Sequence, residues 1–283
     1  MYQLFYEETI APEMDPVYIP VNFISNMDEF RNAENILFSL LKNTDRIKYV
    51  EYTYDEYKQF KESVQKPTKT DWINLERKTR SFFLEFNVFL EHWKKRIDQH
   101  TRKDEFAELF IQKTHQAYDN SKEYALSTII RNYIVHNAGI IQGMIWGACK
   151  LDVGFYICEL IKDEGMTKNK KDFLKSLPEQ YYFLNPIMAG TLDKLQEIQK
   201  DLVAFTIDDK TQDALNIISE GIKNIKEYND TNWFFADVDE KELTTAKDKD
   251  GKPIQYIQGK LLEEFMWKEY DELITTIQAG IYE

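Results

Sequence analysis

The sequence predicts a mainly α protein with a small β-hairpin insertion and an α+β C-terminal extension. Three observations predict it. A long apolar seam runs through Trp72, Leu75, Thr79, Phe82, Phe86, Phe89, Trp93 and Ile97 in steps of three and four. Ten Gly and seven Pro in 283 residues leave room for long uninterrupted helices. After Asn229 the helical period gives way to short β-leaning runs divided by turn residues.

In chain order, residues 1–25 alternate aromatic and polar side chains and hold Pro12, Pro16 and Pro20, which suits an edge strand and an extended arm. Asp28 to Lys42 carries Phe30, Ile36, Leu37, Leu40 and Leu41 at amphipathic helix spacing. The Tyr-rich stretch 49–60 fits strand or helix, and Pro67 marks a break. The seam predicts a helix from 71 to about 100, roughly 45 Å long at about 1.5 Å per residue. Asp71 serves it as a cap or first-turn acid.

A second helix is expected over 104–118, from Phe106, Leu109, Phe110 and Ile111. A third runs from Ser121 to Val135. Leu126, Ile129, Ile130, Tyr133 and Ile134 form its apolar side, while Tyr124, Ser127, Thr128, Arg131 and Val135 follow one another on another side. The small and hydroxyl residues there leave Arg131 room to reach out, or suit close approach by a partner helix. Asn137 and Gly139 are good terminators. Residues 140–150 and 153–160 lean to β, with Asp152-Val153-Gly154 between or near a turn, and together they read as an inserted hairpin. A short helix over 172–177 stops near Pro178, and 187–205 and 208–228 read as longer helices. Trp233 to Val238 reads as a strand, Asp250-Gly251 as a turn into a strand over 253–257, and 260–280 as a last helix. The expected domains are an N-terminal arm with short helices over 1–70, a helical bundle over 71–228 with the hairpin at about 140–160, and an extension over 229–283.

The net charge of −13 argues against a non-specific nucleic-acid coat protein, which needs a basic footprint. The acid is unevenly spread. Residues 71–136 hold eleven Lys/Arg and ten Asp/Glu, so the excess lies outside them. Two cysteines, Cys149 and Cys158, with no CxxC spacing favour a reducing compartment. With no basic, apolar leader and no run of about 18 apolar residues, a cytoplasmic protein without membrane contact is expected. The four His and two Cys lack zinc spacing, and neither GxxxxGK[ST] nor GxGxxG occurs, so neither metal nor cofactor is expected.

Arg131-Asn132-Tyr133-Ile134-Val135-His136 gathers more phosphate-handling groups than any other stretch. On a continuous helix positions 131 and 136 lie about 140° apart, so the two side chains converge only where the helix ends. Asn137-Ala138-Gly139 supplies that end. An imidazole in the last turn suits general acid–base work, and an Arg fork suits phosphate. Residue chemistry alone leaves a plainer reading open, in which both are surface groups and Arg131 pairs with an acid such as Glu123.

Arg131-Asn132-x-x-x-His136 at the end of a helix, in helical surroundings, resembles the signature of the HEPN superfamily over residues 71–228. The resemblance implies a HEPN-like antiparallel helical bundle and a metal-independent endoribonuclease that cleaves RNA by 2′-hydroxyl transesterification. Arg131, His136 and Asn132 would be its catalytic residues, with Glu85, Asn137 and Tyr133 in support. Glu85 is one of a line on the long helix, with Lys78, His92 and Arg96, and would orient Arg131; a charge ladder is the other reading of that line. The resemblance also implies a homodimer with a composite cleft, a role in phage defence or toxin–antitoxin growth control, and an antitoxin or regulatory partner. Some relatives have lost catalysis, which gives a second expectation: an inactive HEPN-like protein binding RNA, nucleotide or a protein. The Tyr that one toxin branch carries two residues after its His is absent here, where Ala138 stands, so the control exerted through that Tyr is not implied.

Overall fold

The computed structural model describes residues 2–8, 16–136, 139–147, 150–227, 231–247, 252–257 and 262–282. In chain order the elements are β1 (Tyr2–Glu8), β2 (Val17–Val21), α1 (Met27–Thr44), α2 (Arg46–Ser63), α3 (Lys69–Gln99), α4 (Lys103–Asn120), α5 (Lys122–His136), β3 (Gly143–Gly147) and β4 (Lys150–Tyr156). They continue with α6 (Ile157–Ile161), α7 (Lys168–Ser176), β5 (Tyr181–Phe183), α8 (Leu184–Thr206), α9 (Asp209–Lys226), β6 (Trp233–Asp237), a 3-10 turn (Glu240–Glu242), β7 (Thr244–Lys247), β8 (Pro253–Tyr256), β9 (Glu263–Glu264) and α10 (Trp267–Gln278). The protein is mainly helical with small antiparallel sheets. No helix among the described residues is long and apolar enough to cross a membrane.

The backbone groups into two compact units, Thr44–Leu202 and the pair of segments Met1–Asn43 and Val203–Glu283. This differs from the expected linear division at 70 and 228. The reason is strand pairing: β1 lies between β2 and β6, so the two ends of the chain share one sheet of order β2-β1-β6-β9. Alternation within a strand shows which face is buried but not which strand lies alongside.

In the 44–202 unit, α3 is the axis of a helical bundle. Its seam residues Leu75, Thr79, Phe82, Phe86, Phe89, Trp93 and Ile97 are all buried. Each buried Phe is worth about 1.5–3 kcal/mol of transfer free energy. The helix opens with a capping box. Thr68 Oγ1 accepts the Asp71 N–H at 3.3 Å, and the Asp71 carboxylate accepts the Thr68 N–H at 2.9 Å. Asp71 is thus the third helical residue and Thr68 the cap. The Tyr-rich stretch resolves as helix within α2, with Tyr57 wholly buried. Trp93 Nε1–H donates to Gln199 Oε1 at 3.1 Å, and the Gln199 amide donates to the Thr44 carbonyl at 3.1 Å.

α5 is buried on two sides. Leu126, Ile129, Ile130 and Ile134 are in the core, and so are Tyr124 and Ser127 from the other side. Ser127 Oγ lies 2.6 Å from Thr191 Oγ1 on α8. A Cβ added at Gly190 would stand 2.8 Å from Glu123 Cγ, so glycine is what lets α8 come this close. The small hydroxyl face of α5 therefore receives a partner helix, as its sequence suggested.

The inserted hairpin is three-stranded, order β3-β4-β5. Asp152, Val153 and Gly154 lie inside β4 rather than at a turn; Gly154 pairs with both Gly143 and Phe183. Tyr181 and Tyr182 explain the glycines. The Tyr181 hydroxyl donates to the Gly143 carbonyl at 3.1 Å, and a Cβ at Gly154 would stand 2.1 Å from the Tyr182 carbonyl oxygen and 2.9 Å from the Tyr181 ring. Asp152 forms an ion pair with Lys61 of α2 at 3.0 Å. Asp250 and Gly251, read as a turn, lie outside the described residues, although β7 and β8 pair on either side of them. The last helix starts at Trp267, later than expected, because β9 pairs with β6 before it.

In the other unit, Phe30, Phe235, Phe265 and Tyr270 form an aromatic core. The Tyr270 hydroxyl donates to the buried Glu34 carboxylate at 2.6 Å. A Cβ at Gly221 would lie 2.4 Å from the Phe30 ring, so α9 packs on α1 at this glycine.

Candidate functional site

The Arg131–His136 string occupies the end of α5, which stops at His136. The helix start is fixed by Ser121, whose Oγ accepts the Tyr124 N–H at 3.1 Å. Asn137, Ala138 and the His136 side chain lie outside the described residues, so the expected roles of His136 and Asn137 have no geometry here.

Arg131 is half-buried. Its Nε and Nη2 donate to Asn132 Oδ1 at 3.2 and 3.1 Å, and its guanidinium lies 5.7 Å from the Phe86 ring centre. Burial pushes its pKa below the ordinary value, with Tyr124 and Glu91 opposing. Among the described residues no carboxylate is within ion-pair distance of it. Glu123, the acid that the plain surface reading would give it, is held by Ser121 Oγ at 3.2 Å and by Lys122 at 3.8 Å. Glu85, expected to orient Arg131, is paired with Arg46 of α2 instead.

Two residues that sequence reasoning missed clasp the motif. Arg80 of α3 donates through Nη2 to the Ile134 carbonyl at 2.8 Å, neutralising the negative end of α5. One turn earlier on α3, the Glu76 carboxylate accepts the Ile140 N–H at 2.8 Å and the Ile141 N–H at 2.9 Å. The clasp therefore holds the backbone on both sides of residues 135–139. Glu76 also fills the space beside Gly139, where an added Cβ would lie 3.2 Å from its carboxylate. The available signal was the spacing of Glu76 and Arg80, four apart and one position after the seam residues Leu75 and Thr79.

Tyr133 is half-buried. Burial raises its hydroxyl pKa, and Glu159, Asp163 and Glu76 raise it further. Its chain neighbour Asn132 lines a pocket of 340 Å³ together with Ile129, Asp163, Gly165, Met166 and Lys170. Lys170, on the first turns of α7, is half-buried and has no ion-pair partner among the described residues. Burial lowers its pKa, and the nearby charge of Arg131 lowers it further. Two half-buried cations with no ion-pair partner among the described residues thus come together, Lys170 lining the pocket in the field of Arg131, and Arg131 bonded to Asn132 in the pocket wall. The sequence signal for Lys170 was the basic run Lys168-Asn169-Lys170-Lys171.

Among the described residues no group of three or more His, Cys, Asp or Glu side chains is arranged to hold a metal ion. No protein-family model, curated protein or solved structure matches the chain.

Proposed function

We propose that the protein is a HEPN-type endoribonuclease acting at the end of α5. The observation that carries this reading is the pair Arg131 and Lys170, two half-buried cations without carboxylate partners among the described residues, at the last turns of α5. Desolvated like charges cost free energy that a bound phosphate offsets, because charge-assisted hydrogen bonds strengthen away from bulk water. In the proposed reaction the 2′-oxygen attacks the adjacent phosphorus as the bond to the 5′-oxygen breaks. His136 handles the proton, and Arg131, steadied by Asn132, stabilises the charge on the phosphorane-like state. The products are a 2′,3′-cyclic phosphate and a 5′-hydroxyl.

The reading includes a homodimer in which two such strings share a cleft, and a role in defence or growth control under an antitoxin or other regulatory partner. The test is incubation of the purified protein with RNA, with the product ends identified. Arg131→Ala and His136→Ala are each expected to lower the cleavage rate by about 10²–10⁴-fold. Undiminished cutting by His136→Ala sinks the mechanism. Binding of RNA without any cutting by the parent protein favours the inactive, RNA-binding alternative.

A further inference from the structure

The pocket beside Arg131 presents three kinds of surface within 340 Å³, a volume near the lower end of the ~300–1,000 Å³ of small-ligand sites. Ile129 and Met166 offer apolar walls. Lys170 offers a cation. Asp163 offers a carboxylate, of which Oδ1 accepts the Gly165 N–H at 3.0 Å while the other oxygen has no partner among the described residues. Asp163 and Lys170 do not form an ion pair with each other. A free inorganic anion matches this mixture poorly, because the carboxylate would repel it. A ligand with an apolar plane, a donor edge and a phosphate matches all three.

We propose that the pocket seats one nucleotide of the RNA, with guanine preferred over the other bases. The proposal takes from the reading above only that the ligand is RNA. Guanine alone among the four bases presents two adjacent donors, N1–H and N2–H, on its pairing edge, and a carboxylate accepts both. Adenine and cytosine place an acceptor beside their single donor group, and uracil places its one donor between two acceptors, so each would set a lone pair against Asp163. The Asn132 amide has its oxygen engaged by Arg131, which leaves its NH₂ to donate to guanine O6. Ile129 and Met166 cover the base, and Lys170, with Arg131 near it, takes the phosphate.

The experiment is calorimetric titration of the full chain with 3′-GMP, 3′-AMP, 3′-CMP and 3′-UMP, and with inorganic phosphate as a control. The 3′-GMP is expected to bind about tenfold tighter than the rest, the value of roughly one charge-assisted hydrogen bond. Asp163→Asn keeps an oxygen for the Gly165 N–H, so the loop is retained, and is expected to abolish the preference. Lys170→Met is expected to weaken all four nucleotides by the same factor and leave their ratio intact. Equal binding of the four, binding of phosphate as tight as 3′-GMP, or no binding overturns the proposal. Its failure is distinguishable from failure of the enzymatic reading. RNA cleavage with no base preference sinks the pocket assignment alone, whereas guanine-selective binding without RNA cleavage sinks catalysis alone.

Discussion

On α3 three residues one position before the apolar seam, Lys78, Glu85 and His92, face α2, and two residues one position after it serve α5. Before the seam, Lys78 pairs with Glu56 at 3.5 Å, Glu85 pairs with Arg46, and His92 lies in the field of Arg46. After it, Glu76 and Arg80 grip the backbone at the end of α5 and beyond. Both flanks hold acids and bases at helical spacing. The first makes side-chain ion pairs, whereas the second satisfies backbone groups that have no other partner among the described residues. A backbone group left unpaired in the interior costs its full desolvation penalty, while a half-exposed ion pair is worth little. Charge at helical spacing therefore says less about a residue's importance than the kind of group it meets.

Glu76→Ala should produce the largest effect. It leaves the Ile140 and Ile141 amides without an acceptor, with an expected stability loss of about 1–3 kcal/mol in urea denaturation. Hydrogen exchange at those two amides is expected to rise. Because the clasp holds the backbone on both sides of residues 135–139, which follow Arg131 and include position 136, the proposed RNA cleavage is expected to fall about 100-fold, the scale of a displacement of about 1 Å at a reacting centre. Parental exchange rates at Ile140 and Ile141 would break the contrast between the flanks.

A smaller effect is expected at the α2 flank. Arg46→Met removes the pair with Glu85 and the contact over the Tyr49 ring, with an expected cost of roughly 1 kcal/mol. Exchange at Ile140 and Ile141 and the rate of RNA cleavage should stay at parental values. A fall in cleavage matching that of Glu76→Ala would show that the flanks are not separable.

The smallest effect is a pH dependence of the α2 flank. Burial first, then Arg46, Arg96 and Lys95, lowers the His92 pKa from 6.5 to about 4. Between those values the unfolded chain binds the proton and the folded chain does not. The contribution of neutral His92 is therefore complete above about pH 6.5 and lost as the pH falls towards 4. His92→Gln is expected to flatten the urea midpoint across this window. A midpoint for the parent protein that rises on acidification from 6.5 would reverse the assigned sign.

The seam of α3 was legible because burial of a helix face repeats every three or four residues, and every seam residue from Leu75 to Ile97 is buried. The Ser127 side of α5 was legible as a close-packing face for the same reason. Gly154 was placed between or near a turn because a glycine can mark a turn or make room for a neighbour, and the neighbours, the Tyr182 carbonyl and the Tyr181 ring, are distant in sequence. At the candidate site the Arg131–Asn132 bond was within reach of sequence reasoning, being between adjacent residues. Glu76 went unnoticed because it lies beside the seam as Glu85 does, and spacing does not distinguish the seam's two sides.

The sequence by itself determined the longer helices after Pro67, the seam and a helix that stops at the Arg131–His136 string, since periodicity, caps and terminators act within a few residues of one another; α6, in the stretch 153–160 expected as strand, and the helical state of 49–60 were not legible. Tertiary packing decided that β1 joins β6, that Glu76 and Arg80 rather than Glu85 attend the end of α5, and that Lys170 comes near Arg131. Those outcomes depend on which surfaces meet across long stretches of chain. The energy of a charge or an unpaired backbone group is set by what it meets there.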